Sequence, residues 1–103
     1  MWYEQYQQIK RQYPNHIILM KIGDFYEAFD GDAQVVADEL GLNVVTRSLN
    51  RKAKVQMAGF PVGQSGTERI EALQGKGYGV AVAEPIEGIK DKGHSIYQAK
   101  EAL

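Results

Sequence analysis

The chain has 103 residues, 44% of them apolar, 10% aromatic and 24% charged, with no cysteine and a net charge of −1. This length suits one domain with its own core, and the composition excludes wholesale disorder, a disulfide framework and any Cys-based zinc site. Twelve bases against thirteen acids are not the balance of a protein that grips nucleic acid by overall charge alone. Apolar runs such as Ile17–Met20 are too short to span a bilayer, and the N-terminus has neither the basic nor the apolar region of a signal peptide. A cytoplasmic protein without a membrane partner is expected.

Trp2, Tyr3, Tyr6, Ile9 and Tyr13 recur at spacings of three and four, which predicts an amphipathic helix ending near Pro14. His16 to Ile22 is rich in β-branched and apolar residues and reads as a strand. Gly23-Asp24 then supplies a two-residue hairpin turn of type II′, with Phe25 to Phe29 as the returning strand. Asp32 is placed to cap a helix carrying Val35, Val36 and Leu40, and Gly41 to stop it. Leu42 to Arg47 reads as a strand, Ser48 to Lys54 as a polar basic loop, and Val55 to Phe60 as a strand closed by Pro61. A turn over Gly63 to Thr67 leads into a helix burying Ile70 and Leu73. Gly75, Gly77 and Gly79 mark a turn before the apolar strand Tyr78 to Ala83. The rest, from Glu84, is more polar, with a short strand near Ser95 to Gln98. The order α-β-β-α-β-β-α-β predicts an α/β (α+β) single domain with a mixed β-sheet and packed helices. There is no internal repeat or linker.

Charge is unevenly distributed along the chain. Asp24 to Glu39 holds six acids and no base, whereas Leu40 to Thr67 holds four bases, Arg47, Arg51, Lys52 and Lys54, and no acid. The basic stretch fits either a loop contacting phosphates or a merely soluble hairpin. The acids raise a metal-dependent nuclease, but Asp30 and Asp32 sit where such residues serve turns and caps, and no lysine completes a nuclease set. His16 and His94 are isolated, and no nucleophile–base pair is present. No catalytic residue, metal site or cofactor is expected. Gly75-x-Gly-x-Gly79 follows a helix and precedes a strand, the reverse of a dinucleotide-binding turn. Gly59 permits close approach of DNA or a bulge before Pro61, and the bulge is favoured.

The stretch Lys21 to Phe29, containing Gly23-Asp-Phe-Tyr-Glu27, closely resembles the N-terminal mismatch-recognition domain of the MutS family of DNA mismatch-repair proteins. The resemblance continues in order through Asp32-Ala33, Leu40-Gly41-Leu42, Thr46-Arg47, Met57-Ala-Gly-Phe-Pro61 and Gly77-Tyr-Gly-Val-Ala-Val82. It covers about Glu4 to Glu87 and implies one recognition domain over 1–103, with a core at about 4–87 and a looser segment at 88–103. After Pro61 the family often has Tyr-His where this chain has Val62-Gly63, and it commonly has Cys-Glu-Gln where this chain has Ala83-Glu84-Pro85. No Gly-x-x-x-x-Gly-Lys-Ser/Thr loop is present, so ATP binding through that motif is excluded. A free-standing relative of the recognition domain and a piece of a longer protein both fit.

The residues make chemical sense of the resemblance. Along a strand, Phe25 and Glu27 share a side and Tyr26 takes the other. An apolar ring just after a tight turn can wedge into the minor groove and kink the duplex, most cheaply where a mismatch has weakened the stack. A carboxyl near phosphates is favoured in its neutral form, which can donate a hydrogen bond. In the family the Phe stacks on the mispaired base and the Glu hydrogen-bonds to it, so the resemblance implies those roles for Phe25 and Glu27. It also favours Arg47, Arg51, Lys52 and Lys54 as contacts to the DNA backbone. Taken singly, such a Phe is most often a core residue and such a Glu a solvated carboxylate. The expected partner is double-stranded DNA with mismatches, with other repair proteins or further MutS-type domains beside it. The rival reading is a protein-interaction module that keeps this fold and uses Phe25 as a hot-spot aromatic.

Overall fold

The central strand His16–Ile22 (β1) is where the two faces of the sheet meet their helices, and its four residues Ile17 to Met20 are all buried. The computed structural model describes residues 2–103. Helix α1 (Trp2–Gln12) precedes β1, and the hairpin returns as β2 (Phe25–Phe29). There follow α2 (Asp30–Leu40), β3 (Val45–Ser48), β4 (Lys54–Pro61), α3 (Gln64–Gly75), β5 (Gly79–Asp91) and β6 (His94–Glu101). The six strands form one sheet in the order β3-β4-β2-β1-β5-β6. Only β1 and β5 pair in parallel, joined through the rest of the chain, so the sheet is mixed as expected. No helix among the described residues is long and apolar enough to cross a membrane.

Alternation along β1 divides the core. Ile17 and Leu19 pack with Ala33, Val36 and Ala37 of α2 and Leu73 of α3. Ile18 and Met20 pack on the other face with Tyr6 and Ile9 of α1 and with Phe29, Val55 and Met57. Burial on both faces explains why β1 reads as a continuous apolar run rather than an alternating one.

Asp32 departs from its expected role. Helix α2 begins at Asp30 with Phe29 as the capping position and no side-chain cap bond. The Asp32 carboxylate turns inward instead. It accepts hydrogen bonds from Tyr6 Oη at 2.7 Å, Lys10 Nζ at 2.9 Å and the Ile18 amide at 3.1 Å. It is 7% exposed, so these partners offset the cost of burying its charge. The carboxylate thereby ties α1, α2 and β1 together. Burial and the adjacent Asp32 charge push the Tyr6 phenol far above its ordinary pKa. The Asp30 carboxylate, 2.5 Å from Tyr3 Oη, raises that phenol to about 12.

The C-terminal segment differs most from expectation. Instead of a short strand in a looser region, β5 runs thirteen residues and β6 eight, as an antiparallel hairpin. Lys92 and Gly93 form its turn with φ of 51° and 82°, which suits a type I′ geometry. Gln5 of α1 closes part of the β6 edge. Its amide donates to Ser95 O and accepts from Tyr97 N, both at 2.8 Å, imitating a neighbouring strand.

Candidate functional site

The hairpin turn sets the first residue of the site. Ile22 pairs with Phe25, so Gly23 and Asp24 are the two turn residues. Gly23 has φ of 58°, and Asp24 is not among the residues with positive φ, as a type II′ turn requires. The Val62 amide donates to Asp24 O at 2.9 Å and pins the turn against the end of β4. Phe25, Glu27 and Phe29 then face the side of the sheet that α1 covers, while Tyr26 faces the other and packs on Phe60. Trp2 stacks on Phe29 with ring centroids 5.0 Å apart. That cover stops short of the turn. Phe25 belongs to neither core cluster and is 45% exposed.

Across the sheet, Glu27 pairs with Gly59 of β4. A Cβ at Gly59 would lie 2.6 Å from Glu27 Cδ and 2.6 Å from Tyr26 O, well inside contact distance. The missing side chain therefore makes a notch in which the Glu27 carboxyl lies over β4. Pairing of β2 with β4 is continuous from Phe29–Met57 to Phe25–Pro61, so Gly59 is not the bulge expected from sequence. Its function here is clearance for the Glu27 carboxyl and the Tyr26 carbonyl. In this half-buried position desolvation raises the Glu27 pKa, and the positive charge of Arg47 works against that rise.

Arg47 reaches the same face because it pairs with Val55, two positions from Met57 on the covered side of β4. A cavity of about 190 Å³ results, walled by Phe25, Glu27, Asn43, Arg47 and Met57 with Gly59 at its floor. The structure thus brings together Phe25, Glu27 and Arg47. It does not bring Arg51, Lys52 and Lys54 to them. Lys54 ends the β3–β4 hairpin opposite Ser48, and its tip is held by Asn50 Oδ1, which accepts from the amides of Lys52 at 2.8 Å and Ala53 at 3.0 Å. Lys54 adjoins Val55, the partner of Arg47, but alternation turns it to the other face of the sheet, and it lies seven positions along β4 from Pro61, the partner of Phe25. At about 3.4 Å per residue, that separation is about 24 Å.

Asn43 escaped the sequence reading. Its signal was parity, since it lies two residues before Val45 and four before Arg47, and alternate residues of an extended chain share a face. Three of the six acids of that run are spent on bonds to other elements: Asp30 with Tyr3, Asp32 with Tyr6 and Lys10, and Glu39 with Tyr78 at 2.6 Å. Among the described residues, no three His, Cys, Asp or Glu side chains are grouped to hold a metal ion.

Comparison with known proteins fits this geometry. The family model described as MutS domain I matches residues 2–100. The chain is 39% identical over 87 residues to the DNA mismatch repair protein MutS of Fusobacterium nucleatum, covering 84% of this chain and 10% of that protein. It is 42% identical over 85 residues to the MutS of Oleidesulfovibrio alaskensis, covering 82% and 9%. Against the MutS of Halothermothrix orenii it is 43% identical over 84 residues, again covering 82% and 9%. The chain spans about a tenth of the length of these curated relatives. A match over nearly all of its own length makes the chain a member of the MutS domain I family.

Proposed function

We propose that this domain is a non-catalytic DNA-binding element of mismatch repair that recognises mismatched or deformable duplex by inserting Phe25 into the minor groove. The observation that carries the reading is the exposed Phe25 ring at the end of a pinned two-residue turn, beside a half-buried carboxyl. The wedge separates base steps, which costs a few kcal/mol in sound duplex and less where pairing is already lost. Discrimination therefore comes from deformability and not from base sequence. Glu27, biased toward its neutral form by desolvation, donates a hydrogen bond to the displaced base. Arg47 neutralises a phosphate beside the insertion point. Arg51, Lys52 and Lys54, at the tip of the β3–β4 hairpin away from Phe25, contact the backbone at a distance from the insertion point.

The names of the relatives support mismatch repair as the setting, and their greater length fits further domains that hold DNA around this one. With a net charge of −1, the domain by itself is expected at the weak end of DNA affinities, with Kd around 10⁻⁴ to 10⁻⁶ M at physiological salt. The test is fluorescence anisotropy with a duplex holding one G·T mismatch and its matched control, at two salt concentrations. Wild type should prefer the mismatch, bind more weakly as salt rises, and lose the preference on Phe25→Ala. Equal binding to both duplexes, or binding indifferent to salt, would instead favour a surface for a protein partner.

A further inference from the structure

We propose that the β5–β6 hairpin is a second DNA contact, whose tip lysines Lys90 and Lys92 hold the phosphate backbone beside the step that Phe25 opens. This rests on the reading of Phe25 as the inserted ring and concerns what steadies the duplex there. The register places the hairpin at the same end of the sheet as the ring. Strand β5 runs parallel to β1 with Met20 opposite Ala83, so Pro85 lies level with Ile22, the partner of Phe25. Past that level, β6 adds three residues from Tyr97, the partner of Pro85, to His94 at the turn. At about 3.4 Å per residue the tip stands about 10 Å beyond Phe25, and two strand spacings set it about 10 Å to one side. The tip of the β3–β4 hairpin, by contrast, lies at the opposite end of the sheet.

The anchoring and the charges of this ribbon fit that use. Tyr97 Oη donates to Lys21 O at 3.0 Å, which fastens the ribbon to the strand leading into the wedge turn, and Gln5 fastens its outer edge. The ribbon carries Glu87, Lys90, Asp91, Lys92 and His94, whose charges cancel in sum with His94 neutral. They do not cancel in direction. Lys90 pairs with Ser95, two residues from Tyr97, so alternation turns it to the face that bears Tyr97 and Phe25. Asp91 and His94 pair with each other and turn to the opposite face. Lys92 occupies the turn, and Glu87 lies in the irregular stretch between Pro85 and Lys90, nearer the sheet. Lys90 and Lys92 are exposed, and neither enters an ion pair among the described residues. Two free ammonium groups at a fixed distance from the ring bind phosphates and set register without reading sequence.

The experiment uses the full chain with matched and G·T-mismatched duplexes. Anisotropy over a salt series compares wild type, the double variant Lys90→Ala with Lys92→Ala, and Phe25→Ala. The double variant should weaken both duplexes by the same factor, about tenfold near 50 mM salt, and lower the slope of log K against log salt by about 2. Its mismatch preference should remain. Because the chain has no cysteine, Lys90→Cys offers a single thiol for an iron chelate that cleaves nearby nucleotides. A tip about 14 Å from Phe25 is under half of a helical turn of about 34 Å away, so cuts should cluster within about ten base pairs of the mismatch. If the double variant keeps the wild-type slope, or the cuts spread evenly, while Phe25→Ala loses the preference, the ribbon inference is wrong and the insertion reading stands. If wild type itself shows no preference, the insertion reading fails and the ribbon inference falls with it. Both lysines are exposed, so loss of folding does not confound the variants.

Discussion

Replacing Asp32 with alanine probes the joint on which the whole site is mounted. The carboxylate gathers Tyr6 Oη, Lys10 Nζ and the Ile18 amide within 2.7 to 3.1 Å, at a position 7% exposed. The three partners do not suffer equally. Tyr6 keeps an acceptor in Phe29 O at 3.0 Å, and Lys10, whose side chain is 33% exposed, keeps His16 O and reaches water. The Ile18 amide, in a fully buried residue, is left without a partner. One unsatisfied buried amide costs about 1–3 kcal/mol, and the lost charge-assisted bonds and packing add a similar amount. The expected total is about 3 kcal/mol, below the upper range for a fully buried ion pair because Lys10 can escape. With a urea m-value of about 1–1.5 kcal/mol/M for a chain of this size, the unfolding midpoint should fall by about 2–3 M. Asp32→Asn, with its oxygen in the place of Oδ2, keeps an acceptor for Ile18 and Tyr6 and loses the charge and the bond from Lys10, which turns to His16 O and water, so it should cost about 1 kcal/mol. Urea denaturation of the three proteins checks this. A cost below about 1 kcal/mol for Asp32→Ala, or equal costs for both variants, would refute the assignment of Asp32 as the joint between α1, α2 and β1.

Other perturbations test the remaining parts. Gly59→Ala forces a Cβ to within 2.6 Å of Tyr26 O, so β2 and β4 must part, at about 1–3 kcal/mol of stability measured by the same denaturation. Burial raises the Glu27 pKa above its ordinary 4.5, so its charge destabilises the fold above the folded pKa, and that cost disappears below the unfolded value. Glu27→Gln should therefore raise the urea midpoint relative to wild type near pH 7.5 and lose that advantage below pH 4.5. Gln5→Ala removes two hydrogen bonds from the β6 edge, at about 1–2 kcal/mol, and should speed amide exchange at Tyr97 while leaving Met20 protected.

The site was legible where local chemistry decides structure. Gly23-Asp24 between two apolar runs specifies a hairpin, and alternation then places Phe25 and Glu27 together without any knowledge of the rest of the fold. What the local pattern does not encode is the partner brought in from far along the chain. Asp32 looked like a helix cap because its neighbours in sequence suit one, yet its bonds go to Tyr6, Lys10 and Ile18 on other elements. Gly59 looked like a bulge, and its actual reason, the carboxyl of Glu27, is visible only once β2 and β4 are in register. The β5–β6 hairpin was underread because β6 is a half-exposed edge whose inward-facing pair, Tyr97 and Ala99, is too short and too small to stand out beside the adjacent Ile96 and the polar residues around it. Its place depends on Gln5 and on Glu101, which meets His16 Nε2 at 2.5 Å. The four bases between β3 and β4 read as one loop, but alternation turns Arg47 toward Glu27 and Lys54, its neighbour across the hairpin, to the other face, with Arg51 and Lys52 in the turn between them.

The most direct test of the insertion account is the bend itself. A duplex with one G·T mismatch and a fluorophore at each end reports its end-to-end distance by energy transfer. Saturating wild-type protein should raise the transfer on the mismatched duplex by an amount corresponding to a kink within about 20–90°, leave the matched duplex straight, and do neither once Phe25 is alanine. Binding of the mismatched duplex with no change in transfer, or the same change with Phe25→Ala, would contradict the wedge.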